Sequence, residues 1–290
     1  METSNFKNRI GMKFGKLKVV EYLGDNKWRC ECECGNEKIV SSGKLPLHPV
    51  KRLPVKSCGC LLHSRLTTNY NFFEKIDTEE KAYIVGFLAA DGCITSDDAK
   101  SSYQIKIVVQ RRDRDILEKI KKAFDTKATI KDYSSTSKLP QGGECNYHAS
   151  SLLISGKELV KDLIKIGVTP KKSLTLSINY NMIPEELKRH FWRGLLEGDG
   201  SFGVYGKKQI LSLCITTSIF MAESTKEELL KIFPKMKISY YHAIGCSENT
   251  VRFIITTQSD LITFLNFVYE DSTIFLDRKF EDYLKIKENN

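Results

Sequence analysis

Two nine-residue stretches of this chain repeat one pattern: Ile84-Val85-Gly86-Phe87-Leu88-Ala89-Ala90-Asp91-Gly92 and Trp192-Arg193-Gly194-Leu195-Leu196-Glu197-Gly198-Asp199-Gly200. Each is mainly apolar, has a small residue at one position and another four later, and ends in Asp-Gly. Positions four apart on a helix share a face. Gly86 with Ala90, and Gly194 with Gly198, therefore form two strips almost bare of side chain. Such strips let two helix backbones approach closely. If they face each other, Asp91 and Asp199 stand together at the negative poles of their helices, where each repels the other and both dipoles. A divalent cation between them relieves that repulsion. A single Asp-Gly is most simply a turn. Two copies, each between a helical run and a strand pattern, favour a shared site.

The flanking patterns repeat as well. The first unit is expected to open with a helix capped by Asp77, with Glu80 completing a capping box. Strands over 93–96 and 103–110 follow, then an amphipathic helix over 113–124, strands over 128–133 and 147–154, and a helix over 157–166. The second unit starts a helix at Pro184, which suits a first helical position. Strands over 202–205 and 209–216, a helix over 226–233, strands over 238–244 and 250–256, and a helix over 260–269 follow. A charged helix over 275–287 ends the pattern. The two Asp-Gly pairs lie 108 residues apart. The expected fold class is α+β: a duplicated αββαββα unit, with two antiparallel sheets forming a pseudo-twofold saddle. On each sheet one alternating set is apolar. The other set includes Gln104, Lys106 and Gln110, and in the second unit Gln209, Ser212 and Thr216; with the turn residues Lys207 and Lys208, these are the candidate base-reading and phosphate-contacting groups.

The doubled motif resembles that of the LAGLIDADG homing endonucleases, and the resemblance spans residues 77–290. It implies a site-specific double-strand DNA endonuclease, with Asp91 and Asp199 binding catalytic Mg2+ and supporting phosphodiester hydrolysis. It also implies lysines beside the scissile phosphates: Lys172, in Gly167-Val168-Thr169-Pro170-Lys171-Lys172, and Lys279 in the looser match Asp277-Arg278-Lys279. Gln110 and Thr216 are candidates for positioning water. Ala89 stands where the second motif has Glu197, a departure that family members often show. Because the duplication lies within one chain, a monomer and a long asymmetric DNA target are expected. An intron RNA maturase, with intron RNA as partner, and a non-catalytic DNA-binding regulator are the alternatives on the same fold. An intein is disfavoured, there being no Cys or Ser at the start and no His-Asn pair at the end.

Charge and cysteine usage set the first 70 residues apart. They hold 13 Lys and Arg against 6 Asp and Glu, a surplus of +7, whereas the whole chain carries +9. Such a basic segment suits phosphate contact. Five of the nine cysteines fall here, in Cys30-Glu31-Cys32-Glu33-Cys34-Gly35 and Cys58-Gly59-Cys60. Cys32, Cys34, Cys58 and Cys60 are expected to hold a structural Zn2+. Cys30 shares a strand face with Cys32 and Cys34, so it is a substitute ligand. Cys93, Cys145, Cys214 and Cys246 are scattered and read as buried or half-buried thiols. Phe14-Gly15-Lys16-Leu17-Lys18-Val19-Val20 with the cysteine runs is similar to a small module that precedes phage and mobile-element endonucleases. That similarity implies an auxiliary DNA-contacting element. The expected organisation is a zinc module over 1–62, a linker over 63–76, and repeats over 77–182 and 183–290. No membrane span or signal segment is expected, and the protein is expected to be soluble and intracellular.

Overall fold

The computed structural model describes residues 8–33, 37–47, 55–58, 68–99, 102–138, 144–205, 210–242, 245 and 247–289. They divide into two compact units, Met1–Thr68 and Asn69–Asn290. No described helix is long and apolar enough to cross a membrane.

The first unit is an antiparallel sheet of β1 (Lys13–Phe14), β2 (Leu17–Gly24), β3 (Lys27–Cys32) and β4 (Glu37–Ser41), in that order. Asp25 and Asn26 both take positive φ between β2 and β3, the backbone that a tight hairpin requires. Along β3, Trp28, Cys30 and Cys32 alternate inward and meet Leu17, Val19, Val40 and Leu45 in a small core. Cys58 packs on the edge of the same core. Burial pushes the Cys30 thiol up from its ordinary value. Cys30 and Cys32 are both buried in this core. Cys34 and Cys60 lie outside the described residues.

The second unit contains both repeats. In the first, α1 (Glu79–Asp91), β5 (Gly92–Asp97), β6 (Ser102–Gln110), α2 (Asp115–Ala123), β7 (Lys131–Lys138), β8 (Glu144–Ser155) and α3 (Lys157–Ile166) follow one another. The second runs α4 (Lys188–Asp199), β9 (Gly200–Tyr205), β10 (Ile210–Ser218), α5 (Ile219–Ile232), β11 (Ile238–His242), β12 (Thr250–Ile255) and α6 (Gln258–Tyr269), with α7 (Asp277–Glu288) after it. Both sheets are four-stranded and antiparallel with one topology, β5-β6-β8-β7 and β9-β10-β12-β11. Register repeats too: Gly92 pairs with Ile107, and Gly200 with Ile215. The duplicated α+β fold read from the sequence is therefore present.

Several boundaries differ from expectation. Thr78 rather than Asp77 caps α1: its Oγ1 accepts from the Lys81 amide at 3.3 Å, while Asp77 pairs with the Lys81 ammonium at 2.6 Å. A 3-10 turn, Glu185–Leu187, intervenes between Pro184 and α4. Helix α5 begins at Ile219, seven residues earlier than expected, because Ser218 Oγ caps it by accepting from the Met221 amide at 3.1 Å. Phe72, Phe73 and Ile76, in the stretch read as linker, are buried in the core of the second unit, where Phe72 stacks on Phe124 with ring centroids 4.3 Å apart. Cys93 is exposed, contrary to the buried role expected of it.

Helices α1 and α4 pack backbone to backbone. A Cβ built on Gly86 would lie 1.9 Å from the Phe191 carbonyl oxygen, and one on Gly194 would lie 2.1 Å from that of Tyr83. A Cβ on Gly198 would lie 2.3 Å from the Ala90 methyl. The two bare strips thus face each other. Polar links lock the seam. Tyr83 Oη donates to Glu197 Oε2 at 2.5 Å, and the Arg193 guanidinium donates to Glu79 Oε1 at 2.6 Å. Arg193 has no exposed surface, and its remaining donors reach Ile274 O (3.0 Å), Val268 O (2.6 Å) and His190 Nδ1 (2.8 Å).

Because Arg193 donates to its Nδ1, His190 is held neutral; burial first, then the Arg193 charge, pull its pKa down to about 4. The sign follows from linkage: an unfolded imidazole takes up a proton below pH ~6.5 while the folded one does not, so this residue's contribution to stability falls between there and pH 4. A His190→Asn protein should therefore lose less stability than the parent, by about 1–2 kcal/mol, when urea unfolding is compared at pH 7 and pH 5. A His190 imidazole NMR midpoint above 6 contradicts the arrangement.

Candidate active site

Asp91 ends α1 and Asp199 ends α4, and each is followed by the glycine that opens a first strand. The close approach of the two helices brings these ends together, so that each carboxylate lies in the other's field. Neither carboxylate accepts a hydrogen bond or forms an ion pair with any described residue. Their outer surfaces are open, yet the surrounding protein excludes much water. That desolvation raises the pKa of Asp91, and it lifts Asp199 to about 6 with a further push from the Asp91 charge. The nearby Lys172 and Lys279 charges oppose the rise.

The two lysines are buried, 8% and 6% exposed, and each caps its own repeat's motif helix. Lys172 Nζ donates to Ala90 O (3.0 Å) and Gly92 O (2.7 Å). Lys279 Nζ donates to Leu196 O (2.8 Å), Glu197 O (2.8 Å) and Gly200 O (2.5 Å). The last carbonyls of a helix lack internal partners, and a cation there matches the dipole. Burial lowers the pKa of both ammoniums, that of Lys279 to about 8. All three Lys279 donors are engaged by carbonyls, so this ammonium fixes the helix end that carries Asp199. Lys279→Met should cost about 2–3 kcal/mol in urea unfolding, since it takes the buried ammonium from the Glu197 and Gly200 carbonyls and leaves Leu196 O only the Gly200 amide. The exposed Lys285→Met should change stability by less than about 0.5 kcal/mol. Equal, small effects for the two would refute the capping role.

A cavity of about 520 Å3 opens beside Asp91. Its wall includes Gln110, Arg112, Asp113, Glu197, Arg278 and Lys279. Glu197, the extra carboxylate of the second motif, is turned inward: it accepts from Tyr83 and from the Leu276 amide at 2.7 Å, and burial raises its pKa to about 7. By holding Leu276 it positions the start of α7, which carries Arg278 and Lys279. Arg112, Asp113 and Arg278 were missed in the sequence, although Arg111-Arg112-Asp113 directly follows Gln110 and Arg278 directly precedes Lys279.

On the outer face of the first sheet, Lys106 and Gln110 are exposed and Gln104 is half-buried. Lys106 stands between Cys93 and Leu153 on the flanking strands. Thr216 is exposed on β10. Lys207, Lys208 and Gln209 lie outside the described residues.

Among the described residues, no three or more His, Cys, Asp or Glu gather as a metal site. The unpartnered pair Asp91 and Asp199 nevertheless fits Mg2+, which binds through one or two carboxylates and completes its octahedron with water and substrate phosphate oxygens.

No protein-family model matches the chain, and no curated protein matches it. Among solved structures it is similar to the homing endonuclease I-WcaI bound to its DNA recognition sequence (14% identity, 72% of this chain and 90% of that chain, TM-score 0.49). It is also similar to the LAGLIDADG homing endonuclease I-GzeII in complex with its DNA target (15% identity, 71% and 89%, TM-score 0.43). The N-terminal LAGLIDADG domain of DUF199/WhiA is a third similar structure (15% identity, 74% and 96%, TM-score 0.42).

Proposed function

We propose that residues 69–290 are a site-specific, Mg2+-dependent double-strand DNA endonuclease of the LAGLIDADG homing type. One observation carries this reading: two carboxylates meet at the shared end of a bare helix seam, and no described side chain satisfies them. Two carboxylates here oppose both helix dipoles, and the Lys172 and Lys279 charges offset the resulting rise in their pKa only in part. Asp91 and Asp199 would hold the metal, which supplies Lewis acidity toward the phosphate and a more acidic bound water. Lys172 and Lys279 hold the two helix ends in place and add positive field where phosphate charge builds up. Lys106, Gln104 and Gln110, together with Lys207, Lys208 and Gln209, are proposed to face the duplex.

For the first unit we propose a Zn2+ bound by Cys32, Cys34, Cys58 and Cys60, in a module that adds basic contact to DNA. Support comes from Cys32 and Cys58, which pack on one core. Elemental analysis should return one zinc per purified chain, and none for Cys32→Ser with Cys58→Ser. Retention of zinc by that double variant overturns this ligand set.

The endonuclease reading is tested by incubating the protein with a random duplex library in Mg2+ and sequencing the cut ends. Cleavage concentrated on one related set of sequences is the expected result. Retention of duplexes without any cut would instead point to the DNA-binding regulator.

A further inference from the structure

Beside the cavity at Asp91, the end of β6 differs in chemistry from the matching end of β10. Strand β6 ends at Gln110, and Arg112 follows it on the cavity wall. Arg112 is exposed and forms no hydrogen bond or ion pair with any described residue. Its neighbour Asp113 is buried and grips Arg278, with Nε to Oδ1 and a terminal nitrogen to Oδ2 both at 3.2 Å. Asp282, also on the wall, pairs with Lys285 at 3.5 Å. Among the described residues nothing occupies the Arg112 guanidinium fork, and its cavity wall also includes Asp91, one of the two unpartnered aspartates.

The displacement of 108 residues that carries Asp91 to Asp199 also carries the pair Gly92 and Ile107 onto Gly200 and Ile215. Applied to the end of β6, it carries Gln110 to Ser218, Arg112 to Phe220 and Asp113 to Met221. Ser218 Oγ is committed to the Leu176 carbonyl (2.5 Å) and the Met221 amide. Phe220 is exposed, and Met221 is fully buried. No group at these second-repeat positions offers a cation or a planar fork to a phosphate. The substitution of an apolar pair for an Arg-Asp pair therefore leaves the two halves chemically unequal.

We propose that the two strands of the bound duplex are cut in order, the phosphate beside Arg112 first and the one on the Phe220 side later, so that a nicked duplex builds up. This rests on the endonuclease reading above. In each event one water oxygen attacks phosphorus, one phosphorus–oxygen ester bond breaks, and the leaving oxygen takes a proton. One phosphodiester and one water thus become one phosphomonoester and one hydroxyl. A guanidinium fork matches two non-bridging phosphate oxygens and stabilises the charge that accumulates there. At the end of the second strand only the first half supplies that match; the second half's Arg252 lies on β12, paired with Thr216.

The test uses the full chain, Mg2+, and the duplex recovered from the library selection, with a different end label on each strand. The unaltered protein should cut one strand at least about tenfold faster than the other. R112A should slow the faster strand by about tenfold or more, so that nicked product no longer accumulates. On a mixed-sequence duplex without metal, R112A should also lower the slope of log affinity against log salt by about one, as loss of one phosphate contact requires. Equal strand rates in the unaltered protein overturn the ordered cut and leave the endonuclease reading intact. R112A slowing both strands alike, or leaving the salt slope unchanged, also overturns it. No cleavage of any duplex by the unaltered protein overturns the endonuclease reading and the strand order together.

Discussion

Gly194→Ala should unfold the second unit or force its two motif helices apart. The added Cβ would stand 2.1 Å from the Tyr83 carbonyl oxygen and 2.7 Å from the Phe87 amide nitrogen, both backbone atoms of the opposing helix. Backbone cannot rotate aside as a side chain can, so the helices must separate along the seam. The expected cost is about 3 kcal/mol or more, at the upper end of overpacking effects. Gly198→Ala behaves differently, because its obstruction is the Ala90 methyl. That variant should be destabilised by about 2 kcal/mol, and combining it with Ala90→Gly should recover all but about 1 kcal/mol, the residual cost of a helical glycine. Urea unfolding of the four proteins measures these values. A Gly194→Ala protein of near-parental stability would mean that the helices do not meet as described.

The second large effect concerns the aspartates, and it has opposite signs for activity and stability. Asp91→Asn and Asp199→Asn keep the side-chain shape but remove the charge. In metal-free protein, either change relieves carboxylate repulsion and an unfavourable helix-dipole contact, so stability should rise by about 0.5–1 kcal/mol. Cleavage should fall by about a thousandfold or more, because one carboxylate cannot hold the metal and phosphate as two do. Mg2+ should raise the melting temperature of the parent through ligand linkage and leave both variants nearly unmoved. A protein more stable without a charged pair than with it has kept that pair for binding.

The seam was legible in the sequence because its rule is local. Small residues four apart and a repeated Asp-Gly need only helical periodicity to define a face, and the 108-residue spacing ties the copies together. The strands were legible because one face of each is apolar, as in Tyr103, Ile105, Ile107 and Val109. Boundaries were less so: Asp77 and Thr78 are both good caps, and only the folded backbone chooses between them. Other features depend on distant partners. Arg193 sits in an apolar run as a charge, and its acceptors Glu79, Val268 and Ile274 come from remote segments. Lys172 and Lys279 were found as cations near the site, but the carbonyls they cap are defined by the end of another helix. Arg112 emerged only once the cavity joined the end of β6 to the starts of β9 and α7.

Everything proposed for the second unit turns on Asp91 and Asp199 acting together on a bound duplex. The direct measurement takes the selected duplex, labels both strands, and compares the parent, Asp91→Asn and Asp199→Asn in Mg2+, with binding followed in parallel by gel retardation. Double-strand product is expected from the parent alone, while all three proteins retain the duplex with similar affinity. Double-strand cleavage by either variant at the parental rate would contradict the shared role of the two aspartates.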